Sequence, residues 1–563
     1  MTSAPYTADD SPARPGTSPG PLDRLWHREL GAYPDRGRRY AYLAIVVLTT
    51  VVLYYALYIQ YAVATSVITH FGMSYRYFVW VSVIGNAVGA FASLVAGLAD
   101  RWGRANLVVY GLLVTGLLVL FGLPNAPNKL SYLLLFAVVG FVEGMVLVAT
   151  PALIRDFSPQ LGRATAMGYW TMGPVLGSLV VTTVTSNTLN SSSWQDEFRY
   201  AGFSALLVFV VALFGLRELA PRIRDQIMVS LRDRALVEAR AQGLDPEQQL
   251  HGGWRQMMRL DVVGSAFAIS IYLLLYFAAV GNFVVYFATT FGYTDQRANA
   301  VANWYWAANA IALVVAGLLS DRLKVRKPFM VAGALGSILF TVLFTLRATQ
   351  PSTGYYTFAW LCVGIGVFSG VTYAPWMASF TETVEKHNPA ATATGLAVWG
   401  WIIRIVVAVS AAFVPIVVSS ATPLVEHGSQ VAAAEQSGGP ALAIVDAHPA
   451  LFAELAKYPP TAVPPALLAQ AAQQVGLQGL QTVQKAQPQL AILQKYGPQV
   501  QQASKHNPRD WQIWWWVCVA GQVLFLPFVF VMTGRWSPKK AREDAEEHQR
   551  LVERELAALG AGS

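Results

Sequence analysis

Long apolar runs constrain this chain more than any other feature. A helix needs about 20 mostly apolar residues to cross the hydrocarbon core of a bilayer. Twelve such runs are legible: 41–66, 78–98, 106–123, 131–153, 164–184, 199–216, 262–290, 298–319, 328–346, 355–380, 393–419 and 511–533. Lipid offers no partner to an exposed backbone amide, so closely spaced runs of this length predict helices that satisfy their own polar groups. The 563 residues are 54% hydrophobic and only 13% charged, with a mean hydropathy of +0.41. A soluble chain of this length needs more charge to cover its surface.

The charges that remain set a topology. The start is rich in Pro, Ser, Asp and Gly and has no early apolar core, so it reads as a disordered tail, residues 1–40, and not as a secretory signal. Arg36, Arg38 and Arg39 stand directly before the first run, which favours a cytoplasmic N-terminus. Twelve crossings return the C-terminal tail, 534–563, to the same side. Expected inner loops carry Arg101, Arg104, Arg155, Arg163, Arg322, Lys324, Arg326 and Lys327, whereas each outer turn carries about one basic residue. The net charge of +8 sits at run ends, where topology accounts for it, and nucleic acid is not an expected partner. Cys362 and Cys518 both fall inside apolar runs and read as buried thiols.

Three internal echoes divide the chain. Phe71-Gly72-Met73-Ser74 recurs as Phe291-Gly292-Tyr293-Thr294. Gly97-Leu98-Ala99-Asp100-Arg101 recurs as Gly317 to Arg322, and Ala164-Thr165-Ala166-Met167-Gly168 as Ala391-Thr392-Ala393-Thr394-Gly395. Each falls at the same place in its half, so two six-helix units in parallel repeat are the simplest account. The units are 41–216 and 261–419 completed by 511–533, with a charged linker over 217–260. The repeat also locates an insert, 420–510, rich in Ala, Gln and Pro, which parity puts outside the cytoplasm. Its pieces, such as 466–484, read as helices cut by prolines. It is either a tolerated outer insertion or a lid or docking domain whose partner the sequence does not name.

Asp100-Arg101-Trp102-Gly103-Arg104 follows the second run, and Asp321-Arg322-Leu323-Lys324-Val325-Arg326 follows the eighth. Both resemble the G-x-L-x-D-R-x-G-R-R signature of the major facilitator superfamily, with Ala96 and Lys324 as departures from it. The resemblance covers the chain apart from its tails and insert. It implies an all-α membrane protein of twelve transmembrane helices in two pseudo-symmetric bundles, in which Asp100, Arg101, Arg104, Asp321, Arg322 and Arg326 latch a gate. Gly140-Phe141-Val142-Glu143-Gly144 stands where the family's drug–proton antiporters have R-x-x-Q-G. Gly173-Pro174-Val175-Leu176-Gly177 meets their fifth-helix motif only in part.

Two charges lie inside expected membrane helices, Glu143 and Arg404. Insertion at mid-bilayer costs about 2.5–3.5 kcal/mol for a charged residue, so such side chains face protein or an aqueous cavity. Arg404 offers a fork of donors suited to a carboxylate or phosphate. Trp401, three residues earlier on the same face, could stack on the body of an anionic substrate. Glu143 could exchange a coupling proton. A structural ion pair is the plainer alternative for both. Tyr54, Tyr58 and Tyr61 share one helical face, and Tyr276, Asn282 and Tyr373 stand on helices that line the family's central cavity; substrate contact and ordinary interhelical packing are both open for these residues.

No Gly-Lys dipeptide, H-E-x-x-H or paired C-x-x-C occurs. No ATP-binding loop, cofactor or metal, and no enzyme activity, is therefore expected. The expectation is a secondary transporter that moves a small organic anion by alternating access, coupled to a proton or counter-anion. An exporter of drugs or natural products, and a receptor or scaffold using the insert, are the alternatives.

Overall fold

The computed structural model describes residues 26–94, 102–157, 163–220, 223, 254–387, 392–459 and 462–561. The first part of the chain forms α1 (Arg36–Ala62), α2 (Ala64–Phe71), α3 (Tyr75–Leu94), α4 (Arg104–Leu117), α5 (Lys129–Phe157), α6 (Arg163–Thr188) and α7 (Trp194–Gly215). The second forms α8 (Ser265–Tyr272), α9 (Leu274–Phe291), α10 (Asp295–Leu323), α11 (Lys327–Arg347), α12 (Tyr355–His387) and α13 (Thr392–Val417). Then come α14 (Ala421–Ala447), α15 (Pro449–Leu455), α16 (Pro465–Lys485), α17 (Gln487–Val531) and α18 (Pro538–Ala561). Among the described residues, ten helices are long and apolar enough to cross a membrane.

The first echo has a structural meaning. α2 and α9 both end on a glycine in the left-handed region, Gly72 at φ 54° and Gly292 at φ 66°. The next amide then turns back: Met73 N donates to Ile68 O and Tyr293 N to Phe287 O, each at 3.1 Å. Glycine takes that conformation without a Cβ penalty, which is why it recurs. Two residues on, Ser74 Oγ accepts from Tyr77 N at 3.1 Å, and Thr294 Oγ1 accepts from Arg297 N at 3.2 Å. The four-residue motif is thus a helix stop followed by a helix start, used twice. The other two echoes fall partly outside the described residues.

Packing repeats as well. α3 lies along α5 in the first part, and α10 along α12 in the second. Across the parts the contacts are reciprocal: α10 packs on α6, and α3 on α13. The α3–α5 crossing is close enough to exclude side chains. A Cβ at Gly140 would lie 2.5 Å from Gly85 O, and one at Gly144 would lie 2.1 Å from Gly89 O. Such stripes of small residues let membrane helices meet backbone to backbone. Gly140, which the sequence presents as a missing arginine, is a packing glycine.

Two boundaries differ from the sequence reading. Residues 26–40, assigned by composition to a disordered tail, are ordered. Glu29–Leu30 (β1) pairs in parallel with Glu218–Leu219 (β2), and α1 begins at Arg36. The anchor is Arg28, which is 1% exposed and donates to Asn106 Oδ1 at 3.0 Å and to Leu213 O. A few fixed partners outweigh a tail-like composition. The second difference is the last long helix, which starts at Gln487 and not at Trp511. Pro498 and Pro508 read as breakers but are carried inside it.

Candidate functional site

The helices place the candidate residues at three levels. α1 starts and α17 finishes at one end, here the terminal end. α1 finishes and α10 starts at the other, here the far end.

At the middle level, Tyr54, Tyr58 and Tyr61 follow one another along α1 with ring centroids 5.3 and 6.2 Å apart. All three are half-buried. Their register against α6 is tight, since a Cβ at Gly177 would lie 2.5 Å from Tyr54 Cβ. Glu143 comes from α5, next to the glycine crossing, and is 7% exposed. Arg404 comes from α13 and is exposed. Charge connects these residues: Arg404 acts on Glu143, and both act on Tyr54. Tyr276 and Tyr373, from α9 and α12, share the same field. Tyr276 lies beside Tyr58 and Ser178, yet its buried hydroxyl makes no well-formed hydrogen bond to either. Its ring packs edge-on to Trp306, 5.1 Å between centroids.

Seven of the sequence candidates therefore meet: Tyr54, Tyr58, Tyr61, Glu143, Tyr276, Tyr373 and Arg404. Two do not. Asn282 accepts from Tyr75 Oη at 2.7 Å, tying α9 to α3 near the far end. Trp401 is 58% exposed, and no ring of the described residues stacks on it. Ser178 and Trp306 were not singled out as site residues.

At the terminal end, Arg104 Nη1 pairs with Asp156 Oδ2 at 2.8 Å, and both side chains are largely buried. Arg104 N donates to Glu218 Oε2 at 2.8 Å. In the second part, Arg326 pairs with Asp321 at 2.6 Å and with Glu382 at 3.1 Å. Arg322 is exposed. Asp100 and Arg101 lie outside the described residues. Asp156 and Glu382, the acidic partners on α5 and α12, were missed by sequence reasoning. A signal existed, for Glu382 follows Asp156 at nearly the interval of the third echo. Burial lowers the pKa of Arg28, which bonds to Asn106 on the same helix as Arg104, with Tyr110 opposing the shift.

At the far end, bonds run between the two parts of the chain. Asp295, at the start of α10, accepts from Ser66 Oγ at 3.0 Å and from Thr65 Oγ1. Asn299 Nδ2 donates to Ala62 O at 2.7 Å. That carbonyl lies at the α1–α2 break, where a helix end leaves such groups unpaired. Asn303 Oδ1 accepts from Thr182 at 2.6 Å and Thr183 at 3.2 Å, and its Nδ2 donates to Ser186 Oγ at 2.8 Å. Of the residues proposed from sequence, Asn282 alone lies near this end.

Ten helices long and apolar enough to cross a bilayer, among the described residues, make this a multi-pass membrane protein. Comparison with known proteins gives its family. The Major Facilitator Superfamily profile matches residues 46–401, and the chain belongs to that family. Two crystal structures of a bacterial homolog of the human lysosomal transporter Spinster share the fold. The inward-facing occupied form aligns with a TM-score of 0.53 at 15% identity over 88% of this chain and 97% of that one. The inward-facing unoccupied form aligns with 0.51 at 16% identity over 90% and 100%. An MFS-type transporter of Aspergillus oryzae, oryF, is 29% identical over 132 residues, which span 23% of this chain and 27% of that protein.

Proposed function

We propose that this transporter moves a small organic anion by alternating access, with Arg404 as the anion-binding group and Glu143 as the proton-coupling group. The observation that carries the reading is that Arg404, Glu143 and Tyr54, from α13, α5 and α1, lie near one another at the middle level, with Glu143 buried and Arg404 exposed. Arg404 belongs to the second part of the chain and Glu143 to the first. A ligand held between them would draw the parts together, and moving Arg404 away would change the state Glu143 prefers. The tyrosines supply a lining that is apolar in body and polar at the tip, suited to a carboxylate on a flat or aliphatic frame.

The wider reading is a twelve-helix transporter in two six-helix bundles. α3 and α6 join the ten apolar helices as spans. Both termini lie in the cytoplasm, and the 420–510 insert stands outside it. The terminal-end pairs of Arg104 and Arg326 then serve as cytoplasmic latches, and the far-end bonds as the outer gate.

A thermal-shift screen of the purified protein tests the substrate class, using carboxylates, phosphates, aromatic acids and neutral or cationic amphiphiles. A carboxylate that raises the melting temperature of wild type but not of Arg404→Ala is expected, because a ligand that binds only the folded state stabilises it. Stabilisation by neutral or cationic amphiphiles alone, equal in the variant, overturns the anion and favours an exporter of drugs or natural products.

A further inference from the structure

The insert is the largest feature that the transport site does not use. Its helices form a small bundle of their own. α14 packs along α17, and α16 touches both. The facing residues are small: Ala434, Gly438, Ala441, Ala471 and Ala503 are buried. At 1.5 Å per residue, the 45-residue α17 is about 68 Å long, against a hydrocarbon core of about 30 Å. Its excess length stands beyond the far end.

Two kinds of attachment hold this bundle, and they differ. On the second part of the chain the attachment is polar and specific. Asn507 Nδ2 donates to Thr290 Oγ1 at 2.8 Å on α9. Ser420 Oγ donates to Asp510 Oδ2 at 2.6 Å, closing the base of α14 onto α17. Beneath it Trp511 and Trp515 stack at 5.5 Å and pack on Tyr286. On the first part the attachment is apolar. α14 touches α2 and α3, and Ala421 and Val425 join one buried cluster with Val67, Ile68 and Met73. Hydrogen bonds and stacked indoles fix a geometry, whereas apolar contact is non-directional and can part without leaving buried polar atoms unpaired.

We infer that the insert is a lid carried by the second part of the chain, which closes the far-end seam by resting α14 on α2 and α3 of the first. Opening that end requires α14 to leave the first part while Asn507, Ser420 and Asp510 keep it on the second. The lid adds to the hydrogen bonds of Asp295, Asn299 and Asn303 beneath it and bolts the closed state twice.

This inference rests on the alternating-access part of the proposed function and not on the anion. It is tested without a substrate. Spin labels at Ser191→Cys and Ser352→Cys, in turns of the first and second parts, report the far-end separation by double electron–electron resonance. Cys362 and Cys518 are buried and are replaced by alanine. Full-length protein is expected to give mainly the shorter distance. Val425→Glu, and separately a chain in which residues 421–499 become a short Gly-Ser linker, are expected to add a longer population while eluting as monodisperse protein. A seal control, Asp295→Ala with Asn303→Ala, keeps the insert intact. If the control adds the longer population and neither lid variant does, the lid is overturned and alternating access stands. If no variant moves the distance, alternating access itself fails, and the lid with it.

Discussion

The two ends of this molecule are closed by different chemistry. At the far end the bonds run between the two parts of the chain, from one ionisable side chain, Asp295, and a set of amides and hydroxyls. At the terminal end the strong pairs are ionic and internal to each part: Arg104 with Asp156, and Arg326 with Asp321 and Glu382. A bond between parts opposes their separation, whereas a bond within a part only sets the shape of the surface it offers. Among the described residues, bonds between the parts gather at the far end, and the ion pairs named at the terminal end lie within each part. Ionic pairs near helix ends suit what a membrane tolerates. A broken ion pair is tolerable in water and costly inside a membrane.

The largest effect should come from the buried ion pair. Asp156→Ala leaves Arg104 in a largely buried place without its carboxylate, and should cost about 3–5 kcal/mol. Thermal melting in detergent would show it, and a shift within error of wild type would mean that the pair is not formed. The far-end separation between labels at 191 and 352 should not change, since the bond lies within one part.

Asn303→Ala comes next and should do the opposite. It removes three hydrogen bonds between parts, about 2 kcal/mol in sum, enough for a roughly 30-fold shift in population. The thermal midpoint should move little while the longer distance grows. A large loss of stability with no change in distance would break the distinction between the two ends.

Glu382→Ala should be the mildest. Glu382 is 40% exposed and Arg326 keeps Asp321, so the loss should stay below about 1 kcal/mol. The Asp156 and Glu382 variants together measure how unequal the two latch copies are. Equal losses would show that burial does not set their strength.

Legibility followed the range of the physics. Apolar runs near the length of a bilayer crossing were readable one residue at a time, because hydrophobic burial and backbone satisfaction act locally. The Phe-Gly-x-Ser/Thr echo was readable because a left-handed glycine and a hydroxyl cap are local needs. Glu143 and Arg404 stood out because charge is expensive in lipid, wherever its partner lies. The start of α17 was misread, since Pro498 and Pro508 signal a break that packing against α14 overrides. Arg28 was missed because its partners, Asn106 and Leu213 O, are far away in the chain. The far-end seal was invisible for the same reason. Asp295, Asn299 and Asn303 look like an ordinary polar helix start until α1, α2 and α6 are set against them.

By itself, then, the sequence determined the membrane class and the helix stop-and-start motif used twice, and singled out the two charged residues inside apolar runs, Glu143 and Arg404. Only the tertiary structure decided which of the candidate residues come near one another, where the bonds between the two parts lie among the described residues, and what α14 packs on. Those outcomes depend on contacts between helices whose separation in the chain carries no local signal, and on backbone approaches, such as Gly144 on Gly89, that exist only after the helices have crossed.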